Sequence, residues 1–178
     1  MVRRDAQRTR QRILDIASDL FARQGYAGTT IADIARELGT TTAALYYHFK
    51  SKQDILESLL ASPLAAYTKL ASEASSLSTV DLLEAYIDFV ADTRQFVPFV
   101  AGDPTIRSMI DDRLPRTPQQ MIESIIAALA GPRPSRAKTI RAHAAVAVVK
   151  ESTLAVLPLH PADRKEILDA ALRALGRS

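Results

Sequence analysis

Cysteine is absent from this 178-residue chain, and its absence removes disulfide bonds, thiolate metal sites and cysteine nucleophiles from consideration. Long apolar runs are absent as well: no segment of about 18 apolar residues occurs, so no transmembrane helix is expected. The basic N-terminus is not followed by an uninterrupted apolar segment, which argues against a secretory signal peptide. By elimination, the expected location is the cytoplasm.

Recognisable catalytic and metal-binding patterns are also missing. The three histidines, His48, His143 and His160, are scattered without metal-ligand spacing, so neither a metal nor a cofactor is predicted. No Ser-His-Asp arrangement and no glycine-rich phosphate loop occurs. A small enzyme that uses His48 stays an alternative without a visible catalytic set, and the sequence predicts that the protein is not an enzyme.

The composition that is present is that of an ordered globular protein, 47% apolar and 24% charged. Its charge is unevenly distributed along the chain. Residues 1–52 carry nine Lys/Arg and five Asp/Glu, whereas residues 53–178 carry 14 and 15. The net charge of +3 therefore comes from the first third, which indicates either a part that faces a polyanion or a solvated basic tail.

Apolar residues recur with helical spacing along the whole chain, and no strand-like alternation or internal repeat occurs. Capping residues, glycines and prolines predict where the helices begin and end. The first helix should end at Gly25, and Pro63 predicts a kink or a break in the fourth. The others are predicted to occupy about 30–39, 42–48, 51 onward, 78–97, 103 onward, 117–131, 135–157 and 160–175. The predicted fold class is all-α, with about nine helices.

The spacing of Ala35, Gly39 and Leu45 has the logic of a helix-turn-helix over residues 30–49. Two helices that cross closely need a small residue at the crossing, here Ala35. The turn needs a positive φ, which Gly39 adopts at little cost. The second helix needs an apolar anchor, supplied by Leu45 and, one turn later, by Phe49. In this motif the second helix enters the major groove of DNA.

The remaining side chains of that second helix suit a nucleic acid. Small hydroxyl and methyl groups permit close approach to base edges, and Tyr, His and Lys side chains suit phosphate oxygens. Lys52 lies at the start of the next helix, where free backbone N–H groups also favour anions. Four N-terminal arginines, Arg3, Arg4, Arg8 and Arg10, are further candidates for phosphate or minor-groove contacts. The more exposed residues are predicted to be Thr41, Thr42, Ala44, Tyr47 and His48.

The segment "FARQGYAGTTIADIARELGTTTAALYYHFKSKQDIL" resembles the DNA-binding domain of the tetracycline-repressor (TetR) family of bacterial regulators. The match covers roughly residues 8–60, about a third of the chain. Its most specific part is the run from Leu45 to Phe49, "LYYHF", followed by Lys52 three positions later. The other matching residues are Phe21, Gly25, Tyr26, Thr29, Thr30, Ile34, Ala35 and Gly39.

The resemblance implies an N-terminal three-helix DNA-binding domain, predicted as residues 1–52, and a larger ligand-binding and dimerisation domain, predicted as residues 53–178. It implies that Thr30, Tyr46, Tyr47, His48 and Lys52 contact phosphates. It also implies that the residues nearest the bases are Thr41, Thr42, Ala43 and Ala44.

The last two predicted helices are unusually apolar. Residues 144–149, "AAVAVV", are apolar around nearly the whole circumference, and residues 167–175 form a broad apolar stripe. A buried core helix and a two-fold interface both explain this pattern. The resemblance favours the interface, because the last two helices of family members form a homodimer; the predicted interface is residues 136–175.

The middle helices of family members enclose a ligand pocket, so the resemblance implies a small and, from the lining here, apolar effector. Taken one at a time, the candidate pocket residues named at the end of this paragraph also fit an ordinary helical core. The predicted function is a ligand-responsive transcriptional regulator, most simply a repressor of palindromic operator DNA. The alternative is a helical ligand-binding or interaction protein that does not read DNA. The candidate pocket residues are Tyr86, Phe89, Val90, Phe96, Phe99, Met109, Met121, Ile125 and His143.

Overall fold

The computed structural model describes residues 2–94, 103–113 and 117–177. Across these residues it contains nine α-helices and no β-strand, which confirms the predicted all-α class. The helices are α1 (Val2–Gly28), α2 (Ile31–Leu38), α3 (Thr42–His48), α4 (Lys52–Glu73), α5 (Thr79–Thr93), α6 (Pro104–Arg113), α7 (Pro118–Ala130), α8 (Arg136–Ala155) and α9 (Pro161–Ala174).

Hydroxyl side chains begin most of these helices. Each accepts a hydrogen bond from the backbone N–H three residues further on, at 3.1–3.3 Å, and so satisfies one of the free N–H groups of the first turn. The capping residues for α2, α3, α5, α7 and α8 are Thr30, Thr41, Ser78, Thr117 and Ser135. These helix starts therefore follow from local sequence.

Two predicted helix boundaries are refined by the structure. α1 departs from helical geometry at Gly25, where φ is 77° and ψ is 159°, a conformation that suits glycine. α4 does not break at Pro63 but continues to Glu73. Proline removes one intrahelical hydrogen bond, and Leu60 and Tyr67 on either side of it are buried. α5 is described as far as Thr93; residues 95–97 of its predicted range lie outside the described residues.

The chain divides into two compact units. The first comprises the residues up to Pro63 together with a segment that ends at Ile110. Its interior holds a modest number of buried apolar side chains, among them Ile13, Ala17, Phe21, Ile34, Leu45, Phe49, Ile55, Leu56 and Ile106. The predicted domain boundary between residues 52 and 53 stays a prediction, since compactness places the end of this continuous stretch at Pro63.

The second unit comprises Leu64–Arg94 and the chain from Asp111 onward. Its core joins α5, α7, α8 and α9 with the last part of α4, through side chains such as Leu83, Ile87, Ile125 and Val149. In α8 one face is buried through Ala142, Ala145, Val146 and Val149, while the opposite face exposes Ile140, Ala144 and Ala147. Among the described residues, no helix combines the length and the apolar character that crossing a membrane requires.

Candidate nucleic-acid interface

α2 and α3 form the predicted helix-turn-helix. Gly39 ends α2 in the left-handed conformation, with φ 72° and ψ 36°, and its N–H points to the carbonyls of Ala35 and Arg36. The N–H of Thr40 donates to the Ala35 carbonyl at 2.9 Å and closes the turn. Ala35 is 3% exposed, which is consistent with a small residue at the helix crossing. Ala35 and Gly39 therefore occupy the positions in the helix-turn-helix that their spacing predicts.

α3 is anchored by very few side chains. Leu45 is the buried residue of the helix, and Phe49, which ends it, is buried as well. The predicted base-reading residues Thr41, Thr42, Ala43 and Ala44 are all exposed. Tyr46 and Tyr47 are 55% and 84% exposed, unusually high values for large aromatic side chains. The outer face of α3 thus presents small groups flanked by two phenols.

His48 is half-buried at the end of α3, and its ring meets the edge of the Tyr47 ring at a centroid distance of 5.2 Å. In the part of the chain that the structure describes, no group of three or more His, Cys, Asp or Glu side chains is arranged to hold a metal ion. His48 therefore lies beside the exposed Tyr47 at the end of α3.

Thr30 begins α2 in a reciprocal capping box with Asp33. The backbone N–H of Thr30 donates to the Asp33 carboxylate at 2.9 Å, and the Thr30 hydroxyl donates to it at 2.6 Å. Arg36 donates to the other carboxylate oxygen at 2.5 Å. The hydrogen bonds from Thr30, and then that from Arg36, hold the pKa of Asp33 below its usual value. This arrangement fixes the start of α2 while leaving Thr30 exposed.

Lys52 points its ammonium group into the protein rather than away from it. Its Nζ donates to the carbonyls of Tyr26 and Thr29, both at 2.7 Å, and lies 4.2 Å from the centre of the Tyr26 ring. Burial lowers the pKa of Lys52, and the nearby carboxylate of Asp103 opposes that shift. Burial likewise raises the pKa of the Tyr26 phenol. Two of the three ammonium protons are therefore bound by carbonyls at the end of α1 and in the turn that follows it.

Arg10 makes contacts that sequence reasoning did not anticipate. The sequence predicts a phosphate or minor-groove contact for it, but its guanidinium donates to the His48 carbonyl and to the Ser58 hydroxyl, each at 2.8 Å. It also lies 4.0 Å from the centre of the Phe49 ring. No local pattern signals these contacts, because the partners are 38 and 48 residues away.

The candidate pocket residues occupy several environments in the second unit. Tyr86, Val90, Met121 and Ile125 are buried, and Phe89 is half-buried against the same core. The rings of Tyr86 and Phe89 stack at a centroid distance of 6.4 Å. Burial raises the pKa of Tyr86 to about 12, so its phenol stays protonated in neutral solution.

The remaining candidates do not join that group. His143 is exposed on α8, and Met109 belongs to the first compact unit. Phe96 and Phe99 lie outside the described residues. The structure therefore brings together Tyr86, Phe89, Val90 and Ile125 in one core and leaves His143 at the surface.

A groove of about 700 Å³ lies between α4 and α7 in the second unit. Of the candidate pocket residues that the structure describes, only Met121 lines it. None of the described lining residues is charged, and the small size of the others explains why a search for aromatic and large apolar residues missed them. They are Thr68, Ala71, Ser72, Ala74, Ser75, Ser124, Ala127, Ala128, Gly131 and Pro132.

Comparisons with known proteins agree with this geometry. Residues 13–59 match the family model described as bacterial regulatory proteins, tetR family. The HTH-type transcriptional regulator TtgR of Pseudomonas putida is 37% identical over 105 residues, which cover 53% of this chain and 50% of TtgR. A biofilm-operon negative transcriptional regulator of Staphylococcus aureus, IcaR, is 48% identical over 48 residues, 27% of this chain and 26% of IcaR. The chain therefore spans about half or less of the length of these relatives.

Similarity of fold extends much further along the chain. A TetR-family transcriptional regulator from Bordetella parapertussis superposes with a TM-score of 0.68 at 18% identity, covering 95% of both chains. Fold and surface together define a helix-turn-helix protein with a larger all-α unit. Residues 13–59 thus match the TetR family of transcriptional regulators in sequence, and the fold of the chain is similar to that of a solved TetR-family regulator.

Proposed function

We propose that this protein is a ligand-responsive transcriptional regulator that binds palindromic operator DNA as a homodimer. The observation that carries the proposal is the surface of α3, where four small exposed residues are flanked by two exposed tyrosines. A helix that only faces water does not need large phenol side chains on its surface. A helix that binds DNA can use them, because phosphate oxygens accept hydrogen bonds from their hydroxyl groups. We propose repression rather than activation, because IcaR is described as a negative regulator.

The proposed DNA contacts follow the exposure of the side chains. Thr41, Thr42, Ala43 and Ala44 approach the base edges in the major groove. The phenols of Tyr46 and Tyr47 reach phosphates on either side, joined by His48 and Thr30. Lys52 contributes its charge and its third ammonium proton, because its other two protons are bound by the carbonyls of Tyr26 and Thr29.

The proposed dimer forms through α8 and α9. Ile140, Ala144 and Ala147 follow each other by four and three residues, so they lie on one face of α8, opposite its buried face. Ile140 is 59% exposed although it is a large apolar residue. Small side chains beside it permit the close approach of a second helix. Two copies related by a two-fold axis would cover this face symmetrically and present two copies of α3 to the DNA.

The proposed effector binds in the second unit, where the groove and the neighbouring aromatic core offer an uncharged environment. The hydroxyls of Thr68 and Ser72 donate to carbonyls of their own helix, Leu64 and Lys69, both at 2.8 Å. Their oxygens therefore present lone pairs to the groove. An uncharged molecule with an apolar body and hydrogen-bond donors fits this lining better than an anion. We place the protein in the cytoplasm, where both DNA and small effectors are available to it.

Selection of binding sites from a pool of random duplexes tests the proposal. We expect the enriched sites to be palindromes whose half-sites lie about 34–36 Å apart, or a multiple of that distance. Thr42→Val removes an exposed hydroxyl from α3. It should change which base is preferred at one position of the site, where the difference in binding free energy between bases should change by about 1–3 kcal/mol. Thr105→Val removes an exposed hydroxyl from α6 and serves as the matched control. A pool without any enriched sequence would favour the alternative, a helical ligand-binding or interaction protein.

A further inference from the structure

We propose that Arg10 is the positioning residue of the recognition helix: it fixes the position of α3 on the first unit and thereby sets the specificity of DNA binding. The inference rests on the proposed function for its DNA consequence, but its structural part concerns the free protein. The carrying observation is that one guanidinium joins α1, α3 and α4 through two hydrogen bonds and one aromatic contact.

α3 needs such a residue because it has few other attachments. The helix has seven residues, and a helix of that length is unstable in isolation. Leu45 is its buried side chain, and Phe49 follows at its end. Two apolar anchors about one turn apart define an axis, and a short helix held only by them is able to rotate about that axis. A third, directional contact is required to fix its orientation.

Arg10 supplies that contact at the C-terminal end of α3. The Phe49 N–H donates to the Leu45 carbonyl at 2.9 Å and is the last backbone bond of this turn. The His48 carbonyl comes after that point, where helix carbonyls lack intrahelical partners. Arg10 Nη1 donates to it at 2.8 Å. A cation at this end also interacts favourably with the helix dipole.

The rest of the guanidinium is bound on two further sides. Its Nη2 donates to Ser58 Oγ at 2.8 Å, which ties the group to α4. Its central carbon lies 4.0 Å from the centre of the Phe49 ring, so the planar cation covers the second apolar anchor of α3. Arg10 is half-buried, and contacts of this kind count for more there than at an exposed site.

This geometry distinguishes Arg10 from a residue that contacts DNA. Both of its terminal nitrogens point to protein acceptors, and one face of its plane is covered by a ring. Lysine cannot replace it, since a single ammonium lacks the fork that bridges two acceptors and the flat face that stacks on Phe49. The consequence for function is positional: base readout depends on where the residues of α3 lie, whereas non-specific binding depends mainly on total charge.

Hydrogen exchange in the DNA-free protein is the first test. In Arg10→Met and Arg10→Lys, the amides of Leu45 and Phe49 should exchange about tenfold faster or more than in the unmodified protein, because a hydrogen bond to a charged group is lost. Arg12→Met is the matched control, since Arg12 is exposed on the same helix. Its α3 amides should exchange at the original rate. Unchanged exchange at α3 in both Arg10 variants overturns the proposal.

Binding to a selected operator and to a scrambled duplex of equal length is the second test. Arg10→Lys should lower the ratio of specific to non-specific affinity about tenfold and leave the salt slope unchanged, since the charge is retained. Arg12→Met should leave the ratio unchanged. An Arg10→Met variant whose salt slope falls by about one with an unchanged ratio would show a direct phosphate contact and overturn the proposal.

Ser58→Ala keeps the experiment decisive if the Arg10 variants fold poorly. It removes one of the two hydrogen-bond partners without touching α3, so α3 exchange should increase by a smaller factor in the same amides. No increase in this variant contradicts the proposed connection through α4. If no operator can be selected, the proposed function fails, whereas the exchange result still decides whether Arg10 positions α3.

Discussion

Both compact units bury apolar side chains, and they differ in how their cations are bound. In the second unit, the core is a broad cluster of aliphatic and aromatic side chains from five helices, and Arg164 pairs with the carboxylate of Asp88 and reaches the Glu84 carbonyl only at 3.4 Å. In the first unit, cations donate to backbone carbonyls at 2.7–2.8 Å: Lys52 to those of Tyr26 and Thr29, and Arg10 to that of His48.

The two kinds of interaction have different structural consequences. Apolar burial is strong but not directional, so it holds a body together while tolerating varied sequences and bound molecules. Charge-assisted hydrogen bonds depend on distance and angle, so they fix one orientation of short helices. If α3 reads DNA as proposed, the first unit benefits from the second kind of interaction.

The largest expected effect comes from breaking the proposed dimer face on the second unit. Ala147→Glu would bury a charge without a partner between two copies of α8, at a cost of several kcal/mol. We expect a monomer in sedimentation equilibrium and a loss of operator affinity of about 100-fold or more.

Ala65→Glu is the control for that experiment, because it places the same side chain at an exposed position on α4, outside the proposed interface. It should leave both the dimer and the DNA affinity intact. A stable dimer in Ala147→Glu would place the interface on another surface.

An intermediate effect is expected in the first unit from Lys52→Ala. The change leaves the carbonyls of Tyr26 and Thr29 without their ammonium donor, so the free energy of unfolding should fall by about 1–3 kcal/mol. Affinity for all DNA sequences should fall as well, and the slope against salt concentration should decrease by about one.

Lys50→Ala is the matched control for Lys52, since it removes the same charge from an exposed position two residues away. It should leave the melting temperature unchanged. Calorimetry and titrations at several salt concentrations measure both quantities. Equal melting temperatures for the two variants would mean that the inward contacts of Lys52 contribute nothing to stability. If the dependence of DNA affinity on salt concentration is unchanged in Lys52→Ala, Lys52 does not contact a phosphate.

The smallest expected effect concerns the capping box at the start of α2. The folded protein holds the pKa of Asp33 below its usual value of 3.8, so the ionised carboxylate stabilises the fold. This contribution is complete above the usual pKa and is lost as the pH falls through the lowered value.

Asp33→Asn should therefore melt at a lower temperature than the unmodified protein at pH 7, and the difference should shrink in acid, below the usual pKa. Thermal melts at a series of pH values measure it. Asp19→Asn, which replaces an exposed carboxylate on α1, is the control and should leave the melting temperature at pH 7 unchanged. A difference for Asp33→Asn that stays constant down to pH 2 would contradict the role assigned to the charge.

Most of the local structure was predictable from the sequence. The capping hydroxyls Thr30, Ser78, Thr117 and Ser135 start helices through contacts with residues three positions away, so the signal is contained in four or five residues. The turn at Gly39 was predictable for the same reason. The exposed face of α3 followed from the periodicity of Leu45 and Phe49, because a helix that buries one side must expose the other.

What could not be predicted depends on contacts between distant residues. The partners of Arg10 and Lys52 are backbone carbonyls, and a carbonyl leaves no mark in the sequence because every residue has one. The groove beside Met121 is lined mainly by alanine and serine, whose small size forms space only when two helices approach at a particular distance. The outward orientation of His143 likewise depends on which face of α8 is buried.

The amino-acid sequence by itself determined the all-α class, the starts of the capped helices, the helix-turn-helix and its exposed small residues, because each is encoded within one or two turns. The tertiary structure decided which positive charges point inward, that α4 continues through Pro63, and where the second unit has a groove. Those outcomes depend on how helices pack, and packing is set by side chains that are far apart in the chain.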